Sequence, residues 1–304
     1  MAKRLITILA VLGLVGFQLT GCGTQTSGLD TTAINQTTET SISSSVNDAI
    51  AISSITDNTA SLGIMGLEAV TNGSSCPSVS KNLIEQNPST YTILIDFGNG
   101  CIPNNYPFSQ VTTSGYISMT VTLFTDTATG KITGETIDAQ KNIVRTRWDG
   151  ASLSISGTTN IIKNLSWAGN TLTNVERSVS VNEERIAVTS FGRVVMHHLI
   201  ALDFTYADTV SDGIITKRII NGTGTVDHEL ARVTASVSIV NLTLVQGCCH
   251  PVDGSINITL TRNSNGSVIG NYLLVYTSST SSNQYQCSDV ASLNGKQITL
   301  NPCE

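Results

Sequence analysis

From Tyr116 to Phe124 the chain alternates strictly, with Ile117, Met119, Val121 and Leu123 in one phase and Ser118, Thr120 and Thr122 in the other. Only an extended strand places every second side chain on the same face, so this run reads as a half-buried antiparallel strand with one apolar and one hydroxyl-lined surface. The same period returns in Met196, His198, Ile200, Leu202, Phe204 and Tyr206, and in Ile256, Ile258 and Leu260. Within Val233 to Leu244 the apolar phase slips by one residue, from Val233, Ala235, Val237 and Ile239 to Val240, Leu242 and Leu244. Such a slip predicts a bulge or sharp bend, the device that curves sheets.

Turn chemistry separates these runs. Asp149-Gly150, Asp212-Gly213, Asn221-Gly222, Asp253-Gly254, Asn265-Gly266 and Asn294-Gly295, with Thr129-Gly130 and Gly169-Asn170, are dipeptides that tolerate the positive φ of tight hairpins. Their spacing leaves strands of roughly 8 to 15 residues, long for a globular sheet. No proline occurs between Val111 and His250, so nothing there interrupts strand pairing. The expectation is a mainly β fold over residues 91–304: a long-stranded antiparallel meander forming a curved sheet, a half-open barrel or a sandwich. Residues 46–90, which include Ile50, Ile52, Ile55, Leu62, Ile64, Met65, Leu67 and Val70, are expected to be a short helical or irregular cap.

The N-terminus speaks a different language. Lys3 and Arg4 precede an uncharged apolar run from Leu5 to Phe17, too short at about 20 Å to cross a hydrocarbon core of about 30 Å. This is the pattern of a secretory signal peptide over residues 1–21. The tetrapeptide Leu19-Thr20-Gly21-Cys22 that follows resembles the lipobox of bacterial lipoproteins, in which the cysteine receives a diacylglycerol and becomes the mature N-terminus. The resemblance covers residues 1–22 and implies that Cys22 is lipidated and that the protein is anchored rather than spanning. Gly23 stands where an aspartate marks inner-membrane retention in Gram-negative lipoproteins, so the resemblance implies an outer-membrane address in such an envelope, on either its periplasmic or its outer surface. Residues 22–45, rich in Thr, Ser, Gln and Gly, read as a flexible tether.

Cleavage takes Lys3 and Arg4 away and moves the net charge from −6 to −8. With no basic stripe to neutralise phosphates, nucleic acid is excluded as a partner class. Six cysteines remain besides Cys22: Cys76, Cys101, Cys248, Cys249, Cys287 and Cys303. An even number in an exported chain reads as three disulfides. Clustering suggests Cys76 with Cys101, and the vicinal pair with Cys287 and Cys303. Neighbours on a strand face opposite ways, so Cys248 and Cys249 should take different partners. A vicinal redox pair, or a Cys/His metal site using His250, is the alternative.

Catalytic motifs fail on specific residues. His228-Glu229-Leu230-Ala231-Arg232 starts like a zinc-protease H-E-x-x-H but has Arg at the second ligand position. Gly222-Thr223-Gly224 lacks the third glycine of a dinucleotide loop, and the Asp-rich turn from Asp208 to Gly213 lacks the acid that closes a calcium loop. Four histidines exist, His197, His198, His228 and His250. On a strand from Val194 to Tyr206, His198 falls on the apolar face and His197 on the other with Asp203; a cross-strand site of His198 with His228 or Glu229 is the arrangement that would carry chemistry. Trp148 and Trp167 stand near hairpin turns and read either as sheet caps or as a recognition tip. The expectation is therefore a membrane-anchored envelope lipoprotein without enzymatic activity, catalytic residues, metal or cofactor, whose β domain binds a partner or serves envelope structure. The alternatives are a carrier of a lipophilic molecule in the curved apolar face, and a hydrolase or metal protein using the histidines.

Overall fold

A computed structural model of the chain describes residues 77–86, 89–101, 111–211, 214–246, 248, 250–277, 280–281, 284–285, 287 and 290–299. The signal peptide, Cys22, the tether and most of the cap segment lie outside the described residues, as do Cys76, Cys249, Cys303 and Asp212-Gly213.

All regular structure among the described residues is strand. In chain order it comprises β1 (Ser78–Gln86), β2 (Ser89–Cys101), β3 (Val111–Thr125), β4 (Ile132–Arg147), β5 (Ser152–Ala168), β6 (Thr171–Val188) and β7 (Val194–Ser211). It continues with β8 (Ile214–His228), β9 (Val233–Val245), β10 (Asp253–Arg262), β11 (Val268–Thr277), β12 (Thr280–Ser281), β13 (Gln284–Tyr285), β14 (Val290–Leu293) and β15 (Lys296–Thr299). Thirteen of these form one antiparallel sheet in strict sequence order, β1 through β11 and then β14 and β15, while β12 and β13 make a separate ribbon. Because β1 and β15 do not pair, the meander is open rather than a closed barrel. The stretch from Ser78 to Gln86, expected within the cap, is the edge strand β1, and β2 begins at Ser89.

Alternation decides which face turns inward. Along β7 every second residue from Met196 to Val210 is buried, and β3 buries Met119, Val121 and Leu123 in the phase expected. Most inward residues join into a core running from Ile93 on β2 to Leu293 on β14, and Val233, Ala235 and Leu260 form a smaller second cluster. A twisted sheet wider than about ten strands curls, and curling lets one face turn in upon itself. The polar phase, Ser118, Thr120, Asn160, Ser180 and Asp203 among others, forms the outer face.

The phase slip in β9 is a bulge. Asn241 adopts φ 50°, pairing shifts between Ile220 and Gly222 on one side and between Asp253 and Ser255 on the other, and Ile239 and Leu242 both end up inside. Gly254 is needed opposite it, since a Cβ there would lie 2.4 Å from the Asn241 carbonyl oxygen. Asp149-Gly150, Asn265-Gly266, Asn294-Gly295, Thr129-Gly130 and Gly169-Asn170 are indeed turns, but two of the expected dipeptides are not: Asp253-Gly254 opens β10, and Asn221-Gly222 lies within β8. Gly222 is there for a different physical reason. It faces inward opposite Phe204, and a Cβ would come 2.3 Å from Phe204 Cδ1; Gly224 accommodates Leu202 in the same way. The two glycines make room for the large side chains that fill the inner face.

Candidate functional site

The inner face is not uniformly apolar. Its apolar band is flanked by ionised side chains toward both ends of the strands, and strand register explains each contact. Glu135 on β4 lies directly opposite Lys163 on β5, and the ammonium donates to Glu135 Oε2 at 2.7 Å. At the same end Asp208 on β7 accepts from Arg218 Nε at 2.7 Å and Nη2 at 2.9 Å, and lies 3.1 Å from Arg177 Nη2. The first carboxylate of the Asp208 to Gly213 stretch thus lies within β7 and is paired with two arginines, while Asp212 and Gly213 are outside the described residues.

The second cluster crosses a strand. Lys141 on β4, Gly157 on β5 and Glu183 on β6 occupy one rung of the sheet. Gly157 has no side chain, so Lys141 Nζ reaches over it to Glu183 Oε1 at 2.6 Å. Arg185 completes the group, with Nη2 3.0 Å and Nε 3.3 Å from Glu183 Oε2. All three side chains are buried. Burial pushes the Glu183 carboxyl up, but the Lys141 and Arg185 charges and their hydrogen bonds together outweigh it and hold the carboxyl below its usual range. Burial pushes the Lys141 ammonium down, against the pull of Glu183.

Next to Arg185 the register places His198 of β7, and opposite that His228 of β8. Their rings meet edge to face with centroids 4.3 Å apart, both are buried, and neither Nε2 has a hydrogen-bond partner. Burial, then the neighbouring His228 and Arg185, drive His198 down to about 3; burial also lowers His228. Burial favours the neutral form of both imidazoles, which pack against each other within the inner face. The expected cross-strand pairing of His198 with His228 is therefore present, but Glu229 lies beyond the end of β8 and is exposed. Among the described residues no group of three or more His, Cys, Asp or Glu side chains is placed to hold a metal ion.

His197 points outward and meets Glu184 Oε1 at 2.7 Å through Nε2, not Asp203. Asp203 instead lines a shallow groove of about 300 Å³ on the outer face, together with Asn160, Ser178, Ser180, Thr205 and Asn221. Asn160 donates to Asp138, and Asn221 accepts the Asn241 backbone N–H, so both carboxamides are held in fixed orientations. Cys248 bonds to Cys287 with Cα atoms 5.2 Å apart, one of the pairings the clustering suggested; Cys101 is also disulfide-bonded. His250 is half-buried ahead of β10. Trp167 caps the sheet, its Nε1 donating to the Ile132 carbonyl at 2.8 Å, while Trp148 is exposed on the hairpin between β4 and β5.

The charged inner residues escaped a reading by motif, although a signal for them exists. Glu135 and Lys141 share the phase of Ile137, Ala139 and Ile143, and Asp208 that of Phe204, Tyr206 and Val210. A charge in the apolar phase of a long strand marks a buried pair, since an unpaired buried charge is too costly to keep. No known protein family, curated protein sequence or solved structure matches this chain.

Proposed function

We propose that the protein is a lipid-anchored lipoprotein of the bacterial envelope whose open β-sheet domain acts by binding and by structural presence, without chemistry of its own. The observation that carries the domain half of this reading is the way the inner face is filled. Leu202 and Phe204 lie over Gly224 and Gly222, ion clusters on β4 to β8 flank the apolar band toward both strand ends, and His198 and His228 are buried together. The outer face offers a partner hydroxyls, carboxamides and the Asp203 carboxylate, presented on rigid strands. The anchor half rests on Lys3, Arg4, the Leu5 to Phe17 run and Leu19-Thr20-Gly21-Cys22.

One experiment addresses both halves: labelling of the expressed chain with an alkyne palmitate analogue, followed by native mass spectrometry with lipid extraction. The expected result is a label that disappears in Cys22→Ser and a protein mass carrying no lipophile beyond the covalent anchor. Label retained in Cys22→Ser defeats the anchor assignment. A second, extractable lipophile in stoichiometric amount would move the domain to the carrier reading.

A further inference from the structure

The meander sends every second hairpin to the same end of the sheet, and at one end the turns share an unusual composition. The β4–β5 turn carries Arg147 and Trp148, the β6–β7 turn Phe191 and Arg193, and the β8–β9 turn Leu230 and Arg232. Each therefore presents one large apolar side chain next to one arginine. Trp148 is 74% exposed, Phe191 95% and Leu230 57%. A soluble surface scatters such residues singly, whereas here they stand on successive tips of one rim. The next hairpin, between β10 and β11, is flanked by Arg262 at the end of one strand and the exposed Val268 at the start of the other.

These tips are physically joined. A Cβ on Gly150 would lie 4.0 Å from Ser190, so the first two turns lie side by side. The Glu229 N–H donates to the His197 carbonyl, and the Asn263 N–H to that of Arg232, which ties the later turns to their neighbours. Against the four arginines stand three carboxylates at this end: Asp149, paired with Arg147 at 3.2 Å, Glu229, and Asp227, which accepts from Asn263 of the β10–β11 turn at 2.7 Å. The rim is thus locally basic in a chain of net charge −6. At the opposite end, among the described residues, the turns Asp126 to Lys131 and Gly169-Asn170 carry no large apolar side chain themselves; Phe124, Trp167 and Ile214 are exposed on the adjoining strand ends, with Lys131 Nζ 5.7 Å from the centroid of the Trp167 ring.

We propose that this rim docks on a bilayer bearing anionic phospholipids, with Trp148, Phe191 and Leu230 entering the interfacial layer and the arginines meeting the lipid phosphates. Tryptophan and phenylalanine are favoured at the boundary between headgroups and acyl chains, and arginine can keep its head at the phosphate level while its stem lies in apolar surroundings. The occupant follows from charge complementarity and shape: a row of short, separated tips fits a deformable surface better than a protein groove. The contact is independent of acylation at Cys22, which would only bring the rim near a membrane.

The chain has two tryptophans, one at each end of the sheet, which makes the test direct. In full-length Trp167→Phe protein, Trp148 is the sole indole. With vesicles of phosphatidylglycerol and phosphatidylcholine its emission should shift to the blue and be quenched by lipids brominated high in the acyl chain. In Trp148→Phe protein the remaining Trp167 should report no change. Arg193→Gln and Arg232→Gln should each lower the ratio of docked to undocked rim about fivefold, and Phe191→Ser should lower it as well, all three with unchanged urea midpoints because these side chains are exposed. Trp148 emission and quenching unaffected by anionic vesicles would overturn the proposal. So would quenching equally strong on phosphatidylcholine alone, because the arginines would then contribute nothing.

Discussion

Replacing Glu183 with Gln keeps the shape of the side chain and removes its charge, leaving Lys141 and Arg185 buried against a neutral amide. In the native sheet the carboxylate takes Lys141 at 2.6 Å on one oxygen and Arg185 at 3.0 Å on the other, with all three side chains buried. Breaking a buried ion pair from one side costs about 3–5 kcal/mol, because the surviving charge has lost both water and partner. With a urea dependence of about 2 kcal/mol/M this moves the unfolding midpoint down by about 1.5–2.5 M. The assay is urea unfolding followed by circular dichroism in the β-sheet band. The triple replacement Lys141→Met, Glu183→Leu and Arg185→Met should recover most of the loss, since it leaves no charge stranded. The pH dependence has a definite sign. A carboxyl held below its usual value contributes stability fully above the unfolded pKa near 4.5, and loses that contribution as pH falls through the folded value. Glu183→Gln should therefore be less sensitive to acid than the parent. A midpoint shift below about 0.5 M, roughly 1 kcal/mol, would refute the reasoning, because the space over Gly157 would then be wet enough to solvate the cations.

The histidine pair predicts a second acid effect. With His198 at about 3 in the fold and 6.5 as its reference, the unfolded chain binds the extra proton as pH drops below 6.5, and stability is lost progressively toward pH 3. Between pH 7 and 5 this one group costs about 2 kcal/mol; urea midpoints at the two values should show it, and His198→Phe should flatten the difference. The Cys248–Cys287 bond closes a separation of 39 residues, for which chain entropy predicts roughly 4 kcal/mol. Cys287→Ser should lower the urea midpoint accordingly, and an unchanged midpoint would mean that this bridge does not constrain the unfolded chain.

Much of the fold was legible from neighbouring residues. The alternation around Met119 and Phe204 assigned both strands and their buried phase, and the slip after Ile239 located the bulge, because side-chain direction along a strand depends only on local backbone geometry. Asn221-Gly222 shows where such reading fails. The dipeptide has turn chemistry, yet Gly222 lies in mid-strand because Phe204, 18 residues earlier, needs the space above it. Gly157 is similar: its role is to let Lys141 and Glu183 meet across β5, a relation that no window of local sequence contains.

What the amino-acid sequence alone determined is therefore the long-stranded antiparallel character of the domain, the inner and outer phases of its clearest strands and several of its turns, each set by interactions over a few residues, whereas β1 was hidden in the stretch read as a cap. Register was decided only in the tertiary structure, since pairing energy depends on which residues of distant strands become opposite. It set His198 against His228, stretched an ion pair over a glycine, and ranged Trp148, Phe191 and Leu230 along a single rim. The polar clusters and the proposed docking edge exist only at that level, because each is built from side chains that meet through neighbouring strands rather than along the chain.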